Sequence, residues 1–597
     1  MTTNNIKVPI VRVNKTKVSP PRPVVVPIPR VNRPVARPVQ APPTQVVEAA
    51  EPKRSYRLPG EKRSTVPDAA LAVKDPGMYV PVNKCKTKAK AKAKALVVEE
   101  DPDVLYESVQ LQEHQIDHYG RVKDIIRTQA GYIDLSEPGL GKTSIVGALA
   151  QEYDFTIGVV STATVCDVVW KPFCETHGIS TQFIMSYGEL RSNWGCQPKN
   201  GLLDRIDTQT EKGRKITSFR ATEKLQEIVG RGILLVFDEI QHIKNNSTQY
   251  KACAELVRTV LNVGGASRFA MLSGSPYCDY HNAVNMCRAL GYIRSPKMYI
   301  SHNGVIELQG LQELIDTCRE IDRCQTNATL AEFSINKSNI NEVTHTLFVR
   351  IIKGNIASEM PRPANIPYRK LAYAGFYNMD ARAEADVAAA VRELAVVANF
   401  DMVNGTIDRR KAIGSVGKLI KASNIAKIPV YTRLARQWLK ENENTRVTII
   451  LHNPCVIDEL EKLLTEFKPI KIIGSVRKNR AALFKEFLTS DTSRLLLTNN
   501  TIIAEGISLH DTVGNRPNKV LISPDYDLIK THQITQRFYR VGIMSDVEIY
   551  QVYSKGVEIE RSIMDAIARK VPILKDLVQQ QVNDGIIFPG EYPVYNE

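Results

Sequence analysis

The chain has 597 residues and a formal net charge of +15, enough length for three or four domains of ordinary size. No apolar run reaches the roughly 18 residues needed to cross a bilayer, and the start MTTNNIKVPIVRVNKTK lacks the layout of a signal peptide, so a membrane protein is excluded and a soluble, intracellular one is expected. The ten cysteines form no CxxC pair and no zinc-spaced cluster with histidine, which excludes a disulfide framework or zinc module and predicts reduced, mostly buried thiols.

The charge is unevenly spread. Residues 1–100 hold 20 Lys/Arg against 7 Asp/Glu, so +13 of the total lies there and only +2 in the rest. Runs such as SPPRPVVVPIPR place proline too often for a helix or an inner strand, and little apolar surface is available for burial, so 1–100 reads as a disordered arm. It carries KCKTKAKAKAKA, where Lys84, Lys86, Lys88, Lys90, Lys92 and Lys94 alternate along one side of an extended chain. Six phosphate contacts would give a salt slope of about −5 on duplex DNA. A solvated tail or a nuclear-import patch fits the same residues.

From about residue 105 the pattern turns to short β-branched runs alternating with amphipathic stretches, the mark of parallel α/β sheets. GYIDLS, TIGVVST, GILLVFDE and RFAMLSGS are the expected strands of a first lobe over 101–280. A mainly helical insertion is expected over 281–440, with DARAEADVAAAVRELAVVANF as its clearest helix. RVTIILH, IKIIGS, RLLLTN, KVLISP and VEIYQVY are the expected strands of a second lobe over 441–575, followed by a tail over 576–597.

Two segments of the first lobe carry chemistry. In SEPGLGKTS, Gly139 and Gly141 allow the tight turn that aims backbone N–H groups inward. Leu140 and Ser144 complete a cradle for phosphates at a helix start. Lys142 is placed for the β and γ phosphates and Thr143 for Mg2+. The strict phosphate-loop pattern asks for glycine where this chain has Ser136, which disfavours kinase and small-GTPase readings. About a hundred residues on, the apolar strand of GILLVFDEIQHIKNN delivers Asp238 and Glu239, one carboxylate to position Mg2+ and the next to activate water.

In their order these segments resemble the motifs of superfamily-two helicases, and DEIQHIKN resembles the DEAH-x-IKN element of Swi/Snf-type ATPases, with Gln241 in place of histidine. LQEHQIDHY resembles the upstream element whose glutamine, here Gln115, reads the adenine edge. VVSTATVCDVVWKPF, with Ser161 and Trp170, resembles the segment that contacts the nucleic-acid backbone, and IMSYGELR resembles the "SY" segment after it. AMLSGSPYCDY resembles the element coupling hydrolysis to movement through Ser273 and Ser275. VRIIKGNIASEMPRP resembles the post-lobe linker, with Lys353 and Pro361.

In the second lobe, IGSVRKNRAALFKEF, with Gly474 and Ser475, and LLLTNNTIIAEGISLHDT, with Thr498, Gly506 and Ser508, resemble elements facing the nucleic-acid backbone. KTHQITQRFYRVGIMSDVEIYQVYSKGVEIERSI resembles the element that places Gln533, Arg537 and Arg540 across the cleft. Two arginines three residues apart lie on one helical face, and both would stabilise the transferring γ-phosphate. In that last stretch Gln536, Ile543 and Val557 depart from the family pattern.

The resemblance implies two RecA-like lobes, ATP with Mg2+, and nucleic acid as partner, DNA before RNA. Translocation along duplex and strand separation both remain open. The compact size and divergent motifs resemble the transcription-associated ATPases of large DNA viruses, which implies transcription or replication machinery as a partner, in a nucleus, a viral replication site or a virion. The competing class is a catalytically decayed nucleic-acid-binding scaffold, against which Lys142, Thr143, Asp238, Glu239 and both arginines stand intact.

Overall fold

The computed structural model describes residues 107–596 apart from 192–200, 210–212, 214, 303–304, 364–365, 380, 399–408, 475–478 and 505–507. The basic, proline-rich arm expected over 1–100 lies outside the described residues.

Strands β1 (Gly131–Asp134), β2 (Thr156–Ser161) and β3 (Thr181–Ser186) are followed by an antiparallel hairpin of β4 (Leu203–Gln209) and β5 (Lys215–Ala221), then by β6 (Ile233–Asp238) and β7 (Arg268–Leu272). A second antiparallel hairpin, β8 (Tyr299–His302) and β9 (Val305–Leu308), precedes β10 (Ala357–Ser358). The first sheet has the order β10-β1-β7-β6-β2-β3 and is parallel throughout. Then come β11 (Lys370–Tyr377), β12 (Arg446–Leu451), β13 (Ile470–Ile472), β14 (Leu495–Asn499), β15 (Asn518–Ile522), β16 (Val547–Ser554) and β17 (Val594–Asn596). They form a second parallel sheet in the order β13-β14-β12-β15-β16-β11-β17.

The fold is α/β with two parallel-sheet lobes, and every strand expected from the sequence is present. The reason is local. A parallel sheet is covered by helices on both faces, so its strands read as unbroken apolar runs. Ile233–Phe237 of β6 is buried throughout, and each such side chain contributes roughly 1.5–3 kcal/mol on burial. Successive residues take opposite faces. Leu234 and Val236 join the core under helices Glu113–Thr128 and Lys142–Tyr153, while Ile233, Leu235 and Phe237 join the core under helix Thr248–Val263.

The described residues of 281–440 are mainly helical, including helix Ala381–Ala398 where one was expected. They are also shared between the lobes. Leu311, Leu314, Val343, Leu347 and Ile351 pack into the first lobe's core, β10 pairs with β1, and β11 pairs with β16. Residues 576–596 differ from the plain tail expected over 576–597: β17 pairs with β11, and Phe588 is buried in the first lobe's core. Helix Glu558–Leu577 likewise sends Ile563, Ile567, Val571 and Leu574 into that core, so the lobes share apolar packing. Long-range pairings of this kind leave no periodicity in the sequence, which is why they were not legible there.

Eight cysteines among the described residues are free. No helix there is long and apolar enough to cross a membrane.

Candidate functional site: an interlobe cleft

In the first sheet β7 lies between β1 and β6, with Asp134 and Asp238 both level with Leu272. The segments leaving these three strands therefore emerge side by side at the carboxyl edge, the usual ligand position in an open parallel sheet. They are the phosphate loop, Glu239, and the Ser273-Gly274-Ser275 turn.

The loop adopts the conformation its glycines permit. Gly139 has φ 93° and Gly141 φ 88°, and Gly141 is the N-cap of helix Lys142–Tyr153 with no side chain capping it. Lys142 Nζ donates to the carbonyls of Ser136 and Glu137 at 2.8 and 3.2 Å. Thr143 and Ser144 open the helix. Leu140 is buried, and its carbonyl accepts from Gln115 Nε2 at 2.8 Å. Gln115 Oε1 accepts from the Gln112 backbone N–H. Both ends of the amide are thus engaged inside the protein, where a contact with adenine was expected. A Cβ on Gly141 would meet Gln115 Nε2 at 2.2 Å, so only glycine admits this brace.

At the end of β6, Asp238 accepts from Trp170 Nε1 at 3.0 Å, and its carbonyl accepts from the Tyr187 hydroxyl at 2.8 Å. Loss of hydration and the neighbouring Glu239 charge push the Asp238 carboxyl up to about 6, with Trp170 and Lys142 opposing. Glu239 takes φ 58°, a strained value for a residue with a Cβ. Loss of hydration raises its pKa, but Arg537, the Gln241 amide and Lys142 together hold it below the usual carboxylate range.

A relay of hydrogen bonds runs from the turn after β7 to this carboxylate. Ser275 N–H donates to Ser273 Oγ at 3.0 Å, Ser273 Oγ donates to Gln241 Oε1 at 2.8 Å, and Gln241 Nε2 donates to Glu239 Oε2 at 2.7 Å. Gln241, standing where the related motif has histidine, supplies both the donor and the acceptor that the relay needs.

The second lobe closes over Glu239. From helix Leu528–Arg537, Gln533 Nε2 donates to Glu239 Oε2 at 3.3 Å and Arg537 donates to Oε1 at 3.2 Å. The helix ends at Arg537, so Arg540 lies beyond it and the two arginines do not share a helical face. Both still reach the cleft. The stem of Arg540 lies against Gly139, where a Cβ would approach it to 3.0 Å, and its guanidinium donates to Ser508 Oγ. Burial and the adjacent Arg537 charge lower the Arg540 pKa to about 9.

The residues expected along nucleic acid fare differently. Trp170 is fully buried and bonded to Asp238. Ser161 and Thr498 are also fully buried, at strand positions covered by helices. Side chains without exposed surface offer nothing to a strand outside, so for these three the backbone-contact expectation is corrected for the arrangement described. Gly474 is exposed in the turn after β13. Ser508 is occupied by Arg540. Ser475 and Gly506 lie outside the described residues. Lys353, from the linker, pairs with Glu359 at 3.2 Å.

Several residues at the cleft were missed from the sequence. His118 and Asp134 form a buried pair at 3.0 Å, and Ser358 Oγ lies 3.0 Å from the other ring nitrogen of His118. Glu137 is bound by Arg362, and Gln581 reaches the carbonyl of Gly274 at 2.7 Å. One signal was available: Glu137 puts a carboxylate inside a loop expected to hold phosphates, which calls for a cation nearby.

No family model matches the chain, and neither does any curated protein. Among solved structures, the chain is similar to the crystal structure of the C-terminal part of the Fun30 ATPase domain, at 14% identity over 36% of this chain and 98% of that one, with a TM-score of 0.27. It is also similar to the Sulfolobus solfataricus SWI2/SNF2 ATPase core in complex with dsDNA, at 16% identity over 80% of this chain and 94% of that one, with a TM-score of 0.28. The α/β assignment itself stands on the two parallel sheets.

Proposed function

We propose that the chain is an ATP-hydrolysing motor on nucleic acid, with DNA as the favoured track. The observation that carries this reading is the contact of Arg537 and Gln533 with Glu239 across the lobes. A hydrolytic carboxylate on one lobe and an arginine on the other make turnover depend on closure, which is what a motor requires.

The residues fit ATP and Mg2+. The loop's two left-handed glycines leave backbone N–H groups and Lys142 for the phosphates. The Thr143 hydroxyl and Asp238 carboxylate are hard oxygen donors suited to Mg2+, which keeps several waters and takes few protein ligands. When bound, Mg2+ supplies charge neutralisation on the phosphate oxygens. Lys142 then exchanges the Ser136 and Glu137 carbonyls for phosphate. Glu239 takes a proton from the attacking water, and Gln241 and Gln533 orient its carboxylate. Arg537 and Arg540 stabilise charge on the γ-phosphate. The Ser275–Ser273–Gln241 relay passes the state of Glu239 to the edge of the first lobe.

The test compares ATP turnover with duplex DNA, single-stranded DNA and RNA, beside a strand-displacement assay. Several-fold stimulation by duplex without strand displacement supports a translocase. Displacement identifies a DNA helicase, and a preference for RNA an RNA helicase. Turnover is expected to vanish in Lys142→Ala and Glu239→Gln. A purified protein with no turnover on any of the three sinks the motor reading and leaves the scaffold.

A further inference from the structure

Glu137 lies inside the phosphate loop, and its side chain is 2% exposed. Arg362 grips the carboxylate with two donors, Nε to Oε2 at 3.0 Å and Nη2 to Oε1 at 2.5 Å. This fork geometry is the strong form of an ion pair and the most directional. Arg362 belongs to neither the loop nor the arginine-bearing helix. It lies on the connector between β10 and β11, two strands of different sheets.

The connector touches the loop twice. Besides the Arg362 fork, the Met360 N–H donates to Ser136 Oγ at 2.8 Å, so the serine that replaces the expected glycine is itself a tether. On its far side the Arg362 guanidinium stacks over the Tyr539 ring at 4.6 Å. Tyr539 sits between Arg537 and Arg540 in sequence, and its hydroxyl donates to the Tyr368 carbonyl at 2.9 Å. A continuous path therefore runs from Lys142, which bonds the Glu137 carbonyl, through the Glu137 carboxylate, Arg362 and Tyr539 to the arginines of the second lobe.

We propose that Glu137 and Arg362 are positioning residues: a strut that ties the phosphate loop's conformation to the placement of Arg537 and Arg540. The inference rests on the motor reading and specifies how the two lobes are coupled. Two physical points favour it over a merely structural ion pair. An anion beside bound triphosphate is repulsive unless countered, so Glu137 weakens nucleotide binding if its only partner were water. And a fork stacked on an aromatic ring accepts one orientation, so it transmits a displacement that a flexible lysine would absorb.

The experiment measures nucleotide affinity by fluorescence, basal turnover and DNA-stimulated turnover in the full chain for Arg362→Gln, Arg362→Lys, Glu137→Gln and the double variant Glu137→Gln/Arg362→Gln. Arg362→Gln is expected to lower DNA-stimulated kcat about fivefold to tenfold and, by leaving Glu137 uncountered, to raise nucleotide Kd, whereas the double variant returns Kd to within about twofold of wild type while kcat stays low. Arg362→Lys, which keeps charge but not the fork, recovers part of the loss. The double variant is no slower than the slower single one, since both remove the same link.

Wild-type kcat in Arg362→Gln overturns the strut, as does a double variant whose losses multiply. A fall in affinity and kcat together that persists in the double variant, tracking a lowered Tm and unrelieved by Arg362→Lys, also overturns it in favour of a structural pair. These outcomes leave wild-type turnover intact. A wild type without turnover on any nucleic acid overturns the motor reading instead, and the strut with it.

Discussion

Arg537 of the second lobe donates to Glu239 of the first at 3.2 Å, so the guanidinium of one lobe rests on a carboxylate of the other. The pair is almost fully buried on the arginine side, at 3% exposure, against 17% for Glu239. In the proposed function nucleotide entry separates them, handing Arg537 to the γ-phosphate and Glu239 to water.

Arg537→Ala is therefore expected to retain ATP binding and lose turnover, by about 10³-fold, the scale on which an arginine finger acts. Nucleotide Kd and kcat measured side by side check the assignment. Equal losses in both would place Arg537 in ground-state binding.

The pH dependence follows from Trp170. Its Nε1–H donates to Asp238 and favours the ionised carboxylate, whose pKa nonetheless stands at about 6. The kcat/KM profile, which reports the free enzyme, is expected to fall below about pH 6. Trp170→Phe removes the donor, stabilises the protonated form, and shifts the acid limb to higher pH. An unmoved limb would detach the limb from Asp238.

Lys370 offers a stability test. Burial and the Arg362 charge push its ammonium down to about 8, Glu137 attracts it, and its nearest bonded neighbour is Thr535 Oγ at 3.4 Å. The sign is set by linkage. Below pH 8 the lysine is protonated folded and unfolded, and the cost of burying its charge is fully present. Between about 8 and 10.5 the folded chain sheds the proton first, and the cost fades. Lys370→Met should raise Tm at pH 7, with an advantage that narrows by pH 9.5. A pH-independent difference would contradict this account.

Gln581 joins three elements: Nε2 donates to the Gly274 carbonyl at 2.7 Å and lies 3.5 Å from the Leu135 carbonyl, while Oε1 lies 3.2 Å from His532 Nε2. Gln581→Leu leaves buried polar partners unmet, each costing about 1–3 kcal/mol. A destabilisation of about 2–3 kcal/mol in denaturant melts is expected. A change under 0.5 kcal/mol would show that water replaces the amide.

The strands of both sheets were legible because burial on two faces demands apolar runs, as in GILLVFDE and RVTIILH. The phosphate loop was legible because glycine alone accepts its φ values near 90°. Glu239 and Arg537 were each visible as residue types that suit their chemistry. Their contact was not, since 298 positions separate them and only the sheet order brings them together.

Trp170 shows the converse. Its segment resembles one that contacts the nucleic-acid backbone, yet packing turns the ring inward and uses its N–H to tune Asp238. Glu137, Arg362 and Gln581 left weaker traces, because a side chain's partner across a fold has no fixed spacing in the chain. Local rules of period, propensity and backbone strain determined the elements and the turn of the glycine-bearing loop. The tertiary structure decided which charges meet across the cleft, because such pairing depends on distances that open only when two sheets pack together.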